Sequence, residues 1–294
     1  MNHPRAALPA SIFETPPRAP TEAEWDALSE EERARVAEIL HSHSEDEDFE
    51  AQPEGDPHRE VCLLSESALR EFYTRKGRRV YVGVNMWVRY PAARPFAPDL
   101  FVVLDAAPGP RMSWLVSAEK KGLDFVLEVV VAGDPTKDLV KNVARYASLG
   151  IPEYFVYDRP HNGLYGYRLP PGGERYVRIL PQHGYYRSEV LDLELVLHDD
   201  QLHFYTASSR LMTAGDLRAQ VERRFDEAMQ RVLTLEQSLA DEQQAREAQQ
   251  AALEEAQRLR EEEQRLREEE QRAREAAEQR LALALAELDR LRGG

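Results

Sequence analysis

A single carboxylate, Glu128, interrupts an apolar run that covers residues 125–131. Alternate side chains of a β-strand point to the same face, so Glu128 shares a face with Val126 and Val130. Burying a carboxylate without a partner costs several kcal/mol, and Glu128 must therefore meet a cation or a metal ion. This makes it the strongest candidate for chemistry in the sequence.

A second carboxylate, Asp99, stands at the start of another apolar run, residues 100–104. If the two runs are neighbouring strands, Asp99 and Glu128 enter the same sheet. With Lys137 and Lys141 four residues apart on the next helix, they would form a site for Mg²⁺ and a lysine. The alternative is that Glu128 forms an ion pair with one of these lysines and takes no part in chemistry.

The elements that must position these residues alternate between strands and helices. A helix follows the central strand, with Asp134 as its N-cap and Pro135 in its first turn. Asn162 and Gly163 predict a hairpin turn. This order predicts an α/β fold, a mixed sheet flanked by helices. The runs typical of strands are residues 80–84, 100–104, 125–131, 154–157, 164–169, 176–180, 190–197 and 202–206.

Residues 1–57 form an acidic N-terminal extension. The first 60 residues contain 5 Arg and 16 acidic residues, a local charge of −11, together with many prolines. This composition is typical of a largely disordered segment. Thr21 and Glu24 have the spacing of a capping box and predict a short helical element over about 22–40, broken near Ser29.

The region from residue 215 to residue 292 is predicted to be one long helix that follows a globular domain of residues 58–210. Over residues 221–239 the apolar positions alternate four and three apart, the pattern of a coiled-coil seam. Residues 258–264 recur identically as 265–271, with Glu–Arg pairs and one apolar residue per heptad. We therefore expect a homodimer joined mainly through 221–239, with the leucines at the end of the helix as a second candidate contact and the charged middle of the helix as a spacer.

Cysteine, apolar and charge content exclude several classes of protein. One cysteine, Cys62, rules out an intrachain disulfide and a cysteine-based zinc site. No apolar run reaches the roughly 20 residues of a membrane span, and because the first thirty residues contain no apolar h-region we expect no signal peptide. We therefore expect a cytoplasmic protein that does not bind a membrane. The net charge is −15, but residues 61–220 carry 20 basic and 18 acidic groups, so DNA remains an allowed partner of this region.

Several of these residues follow one another in an order that resembles a known family. Asp99 comes directly after Pro98, Glu128 lies in the central strand, and a lysine-bearing helix leads to Tyr146 and to the sequence Gly-Ile-Pro-Glu-Tyr-Phe-Val-Tyr-Asp at 150–158. The pattern resembles the bacterial Uma family of “putative restriction endonucleases”, which belongs to the PD-(D/E)XK nuclease superfamily. The similarity covers roughly residues 60–206.

The resemblance implies a restriction-endonuclease-like fold and Mg²⁺-dependent hydrolysis of DNA phosphodiester bonds. By position, Asp99 corresponds to the motif aspartate and Glu128 to the motif acid, and both would bind the metal. A glutamate from the first helix sometimes joins such sites, and Glu71 is the candidate here.

The motif lysine is the point where this sequence departs from the family pattern. Val130 stands where the superfamily pattern has a lysine, and in the Uma family the lysine comes from the following helix. Lys141 is the nearest and is our candidate, whereas Asn142 occupies the usual register. One residue along a helix is a rotation of about 100°. Lys137, or no lysine at all, is the alternative.

Two functions are therefore predicted. The first is a Mg²⁺-dependent endonuclease with Asp99, Glu128 and Lys141 as its catalytic residues. The alternative is a catalytically silent nuclease fold that serves as a scaffold and whose helical tail binds other proteins.

Overall fold

The computed structural model describes residues 8–14, 17–46, 55–91, 93–133, 135–207 and 209–292. The chain divides into two units, residues 1–219 and residues 220–294. All of the candidate site residues named above lie in the first unit. Among the described residues, no helix has both the length and the apolar content that crossing a membrane requires.

A mixed sheet forms the centre of the first unit. The strands, in chain order, are β1 (Val80–Val84), β2 (Val88–Arg89), β3 (Leu100–Leu104), β4 (Trp114–Leu115), β5 (Phe125–Val130), β6 (Glu153–Asp158), β7 (Gly163–Arg168), β8 (Val177–Ile179), β9 (Tyr186–Ser188), β10 (Leu193–His198) and β11 (Gln201–Tyr205). The main sheet has the order β1-β3-β5-β6-β7-β8, in which β5 and β6 are parallel and the other neighbours antiparallel. β9, β10 and β11 form a second sheet, and β2 pairs with β4. The predicted mixed α/β sheet is confirmed.

The helices are α1 (Glu22–Ala27), α2 (Glu30–Asp46), α3 (Asp56–Arg75), α4 (Val116–Glu119), α5 (Asn142–Ser148) and α6 (Ala214–Arg292), with a 3₁₀-helix at Ala10–Phe13 and a π-helix at Lys137–Lys141. The Thr21–Glu24 capping box starts α1, and the chain breaks before α2 at the predicted place. α3 begins at Asp56, with a proline in its first turn. Asp134, the predicted N-cap, lies outside the described residues.

The alternation along β5 divides the core between the two faces of the main sheet. Phe125 and Leu127 are buried on the face that packs with α3 and the second sheet. Val126 is buried on the other face, in the same cluster as Tyr146 of α5. Glu128 follows this alternation, and its side chain therefore lies on the side of α5.

Part of the N-terminal segment packs against the domain. Ile12, Val36 and Leu40 are buried in one cluster with Leu115 of β4. Residues 47–54, the centre of the acidic linker, lie outside the described residues. The described part of the extension is thus more ordered than its composition suggests, because a few apolar residues spaced one helical turn apart form a stripe that an average over the segment hides.

α6 confirms the predicted long C-terminal helix. At its start, the Asp216 N–H donates to Thr213 Oγ1 at 3.1 Å and the Thr213 N–H donates to Asp216 Oδ2 at 2.9 Å. This reciprocal pair satisfies N–H groups that have no partner within the helix. In the second unit, the side chains of residues 221–286 are exposed.

Candidate active site

Asp99, the residue that precedes β3, lies opposite Glu128 of the neighbouring strand β5. β3 pairs with β5 in a register that places Leu100 against Leu127, so the next pair outward is Asp99 and Glu128. The Asp99 N–H donates to Glu128 Oε2 at 3.2 Å, and the Val129 N–H donates to Asp99 Oδ2 at 2.6 Å. The structure therefore brings together the two carboxylates that the sequence singled out.

Glu128 is buried among other negative groups. Glu128 is only 4% exposed, and its Oε1 accepts a hydrogen bond from the Tyr146 hydroxyl at 2.5 Å. Burial raises the pKa of Glu128 well above its ordinary value, and the charges of Asp99 and Asp138 raise it further, against a smaller lowering by the Tyr146 hydrogen bond. A positive charge placed here would relieve this repulsion.

Two tyrosines form the wall beside Glu128. Burial and the nearby Glu128 carboxylate raise the pKa of Tyr146 and of Tyr154 well above the ordinary tyrosine value. Both hydroxyls therefore stay protonated as donors. Tyr146 donates to Glu128, and Tyr154 donates to the Asp138 backbone oxygen at 2.9 Å. This pair fixes the position of Glu128 relative to the helix that follows β5.

His58 is a site residue that the sequence reasoning missed. It lies in the first turns of α3, is 1% exposed, and places Nε2 3.1 Å from Asp99 Oδ2. The sequence feature that could have identified His58 is its spacing. Val61 and Cys62 follow it by three and four residues, so all three share one buried face of a helix.

The lysines do not reach the carboxylates in this structure. Lys137 and Lys141 are exposed, and within the described residues neither forms a hydrogen bond or ion pair with Asp99 or Glu128. Asn142 instead is buried, and its amide donates to Asp138 Oδ1 at 2.8 Å. The inward position of this helix is therefore occupied by an amide, as the register of the sequence indicated.

Glu71 is half-buried on α3. In the described part of the chain it forms no hydrogen bond or ion pair with either Asp99 or Glu128. The structure does not bring it into the pair of carboxylates.

Glu153, within the family-like segment 150–158, holds the two sheets together. It is fully buried and accepts hydrogen bonds from Arg168 Nε at 2.8 Å, Ser188 Oγ at 2.5 Å and the Glu189 N–H at 2.9 Å. β6 and β7 belong to the main sheet, whereas Ser188 belongs to β9 of the second sheet. These hydrogen bonds account for the burial of Glu153, which has a structural role in linking the two sheets.

The carboxylate pair has the donor chemistry that suits a hard divalent cation. Mg²⁺ commonly binds through one or two carboxylates and completes its shell with water and substrate phosphate. Asp99 and Glu128 supply two such carboxylates. Among the described residues, no group of three or more His, Cys, Asp and Glu side chains is arranged to hold a metal. Two carboxylates are a donor set that fits a cation whose remaining positions are filled by water and substrate.

A mixed sheet that brings two carboxylates together on adjoining strands is the arrangement expected of a restriction-endonuclease-like protein. The chain is similar to the solved structure of “a putative nuclease belonging to DUF820” from Anabaena variabilis ATCC 29413, with a TM-score of 0.36 and 11% identity, covering 47% of this chain and 75% of that one. No curated protein matches the chain.

The Uma2 family, described as “Putative restriction endonuclease”, matches residues 36–203, more than half of the chain. The protein belongs to this family. The match begins well before residue 60, where the motifs first suggested the resemblance, and so includes most of α2.

Proposed function

We propose that this protein is a Mg²⁺-dependent nuclease that hydrolyses DNA phosphodiester bonds, with Asp99 and Glu128 as the metal ligands. The observation that carries the proposal is the facing pair of carboxylates, in which Glu128 is buried and Asp99 is partly buried; burial, and then neighbouring negative charge, raise the pKa of Glu128. Membership in a family described as “Putative restriction endonuclease” supports the nuclease class.

The residues around the pair would hold it ready for a cation. The Tyr146 hydroxyl orients Glu128, while His58 and the Val129 N–H hold Asp99 Oδ2. A bound Mg²⁺ would supply charge neutralisation and a water of lowered pKa. These contacts hold both carboxylates in place, so little side-chain rearrangement would be needed when a cation binds.

Lys141 is proposed to contact DNA rather than the carboxylates. Its side chain is exposed on the π-helix next to the inward-facing Asn142. An exposed ammonium group can attract a phosphate from solvent, an interaction that weakens with salt. Lys137, also exposed, is placed to act in the same way.

Plasmid cleavage with Mg²⁺, compared with excess chelator, tests the proposal. We expect Glu128→Gln and Asp99→Asn each to lower the cleavage rate by about a hundredfold or more, the scale of losing a few kcal/mol of charge stabilisation. Asp105→Asn is the matched control, because Asp105 directly follows the other end of β3 and pairs with Arg78 at the surface. Cleavage by Glu128→Gln at the wild-type rate would refute the site.

A second function, a catalytically silent nuclease fold acting as a scaffold, is favoured by one observation. The inward helix position holds Asn142, and the lysines beside it are exposed. The variant Asn142→Lys separates the two proposals. A wild-type protein that does not cleave, together with cleavage by Asn142→Lys in Mg²⁺, would establish the silent fold; cleavage by the wild type excludes it.

A further inference from the structure

One face of α6 exposes a regular row of apolar side chains, which we call the seam: Val221, Phe225, Ala228, Val232, Leu235 and Leu239. The five large members are between 48% and 69% exposed. Their spacing alternates four and three residues, which keeps them on one side of a helix. A row of this kind on a single chain leaves a continuous apolar stripe in water.

We propose that the seam pairs with the same seam of a second copy of this chain, in a parallel and in-register two-stranded coiled coil. In heptad terms, Phe225, Val232 and Leu239 take position a, and Val221, Ala228 and Leu235 take position d. Val232 at a followed by Leu235 at d is the combination of a β-branched residue and a leucine that favours two parallel strands. The proposal is independent of whether the first unit cleaves DNA.

The charges beside the seam select this partner and this direction. Positions g hold Arg224 and Arg231, and the flanking e positions include Glu222 and Glu236. In a parallel pair each g residue faces the e residue five positions later on the other helix, so Arg231 of one copy meets Glu236 of the other. An antiparallel pair would instead set g against g, with Arg231 facing Arg231. The seam is thus complementary to itself only in the parallel direction.

The following part of α6 is unsuited to the same pairing. Over residues 258–274 only Leu259, Leu266 and Ala273 keep a heptad spacing. The charged residues there form ion pairs within one helix, as Arg267 does with Glu263 at 2.6 Å. The contact between two copies is therefore assigned to 221–239.

The mass of the full-length protein in solution tests the pairing. We expect sedimentation to give a dimer at micromolar concentration, and Leu235→Glu to weaken the dimer by at least about tenfold. Leu233→Glu is the matched control, because Leu233 is also an exposed leucine, at 51%, but lies on the outer side of the helix. A monomeric wild type, a larger assembly, or equal weakening by both variants would overturn the proposal.

Disulfide trapping tests the direction. In a parallel pair residue 239 of one copy lies beside residue 239 of the other, whereas an antiparallel pair centred on the seam sets it beside residue 221. Leu239→Cys is therefore expected to form a disulfide-linked dimer under mild oxidation, and Gln237→Cys, on the outer side, is expected to form much less. The natural Cys62 is buried and serves as the internal background. A dimer that Leu239→Cys does not cross-link would overturn the parallel arrangement.

Discussion

The replacement Glu128→Gln is expected to change the free energy of unfolding by an amount that depends on pH. In the folded protein, burial and the charges of Asp99 and Asp138 raise the pKa of Glu128 above its ordinary value of 4.5. In the unfolded chain the pKa returns to that value. Between the two pKa values the unfolded chain has lost this proton and the folded protein keeps it. The wild type therefore loses stability as pH rises through this window, whereas glutamine does not titrate.

The size of the stability difference between the variant and the wild type has two sources. One is the hydrogen bonds that the side chain of residue 128 accepts, and the other is the proton that Glu128 keeps in the folded protein. Below the ordinary pKa both side chains are neutral, and glutamine offers one acceptor oxygen to two donors, the Tyr146 hydroxyl and the Asp99 N–H. An unsatisfied buried donor costs about 1–3 kcal/mol, so the variant is the less stable protein in acid. Above pH 4.5 the variant gains about 1.4 kcal/mol per pH unit relative to the wild type.

The gain has an upper limit, because the wild-type protein can fold with Glu128 protonated. Its loss of stability therefore cannot exceed the free energy of protonating that side chain in the unfolded chain. At about pH 7.5 the pH lies three units above 4.5, so the total gain cannot exceed about 4 kcal/mol. The variant should therefore become the more stable protein within about one to two pH units above the ordinary pKa and stay so at neutral pH, because the pKa of Glu128 in the folded protein is raised well above that value.

Urea denaturation in the presence of a chelator, from about pH 5 to about pH 8, measures this difference. The control is Asp105→Asn, which removes an exposed carboxylate whose pKa the Arg78 guanidinium lowers. Its difference from the wild type should be flat over the range, because that carboxylate is ionised throughout in both states. A difference between Glu128→Gln and the wild type that is equally flat would refute the electrostatic reading of the site.

Two further substitutions test the surroundings of the site. Tyr146→Phe removes the hydrogen bond to Glu128 and should cost about 1–3 kcal/mol of stability and weaken Mg²⁺ binding in a titration; Tyr176→Phe, which loses a hydrogen bond to a backbone oxygen, should affect stability alone. Glu153→Gln should lower the free energy of unfolding by a similar amount, seen as a lower urea midpoint, because Arg168 loses its buried charged partner. Cleavage per folded molecule should stay unchanged. Equal Mg²⁺ affinity in the two tyrosine variants, or loss of cleavage in fully folded Glu153→Gln, would contradict these assignments.

The carboxylate pair could be predicted from the sequence because each member breaks a simple pattern. Glu128 is the one charged residue in an apolar strand, and Asp99 marks the start of another. Strand alternation then places Glu128 on one face without any knowledge of the fold. The antiparallel register that sets Asp99 opposite Glu128 comes from the structure, because two strands can be neighbours in more than one register.

The rest of the site depends on contacts between elements far apart in the sequence. His58 reaches Asp99 from α3, and no local pattern connects a histidine at the start of the predicted domain with the residue that precedes β3. The outward position of Lys141 follows from the helix register, but the π-helix that carries it has no signal in the residue types. The cytoplasmic location, the coiled coil and the homodimer stay predictions.

The central claim is that Asp99 and Glu128 together bind the metal that supports hydrolysis. Diffraction from crystals grown with Mn²⁺, which accepts the same oxygen ligands as Mg²⁺ and scatters anomalously, tests it most directly. We predict one strong anomalous peak within about 2–2.5 Å of an oxygen of each carboxylate, and no such peak in crystals of Glu128→Gln. Wild-type crystals with no Mn²⁺ between these two side chains, whether or not the ion binds elsewhere, would contradict the claim.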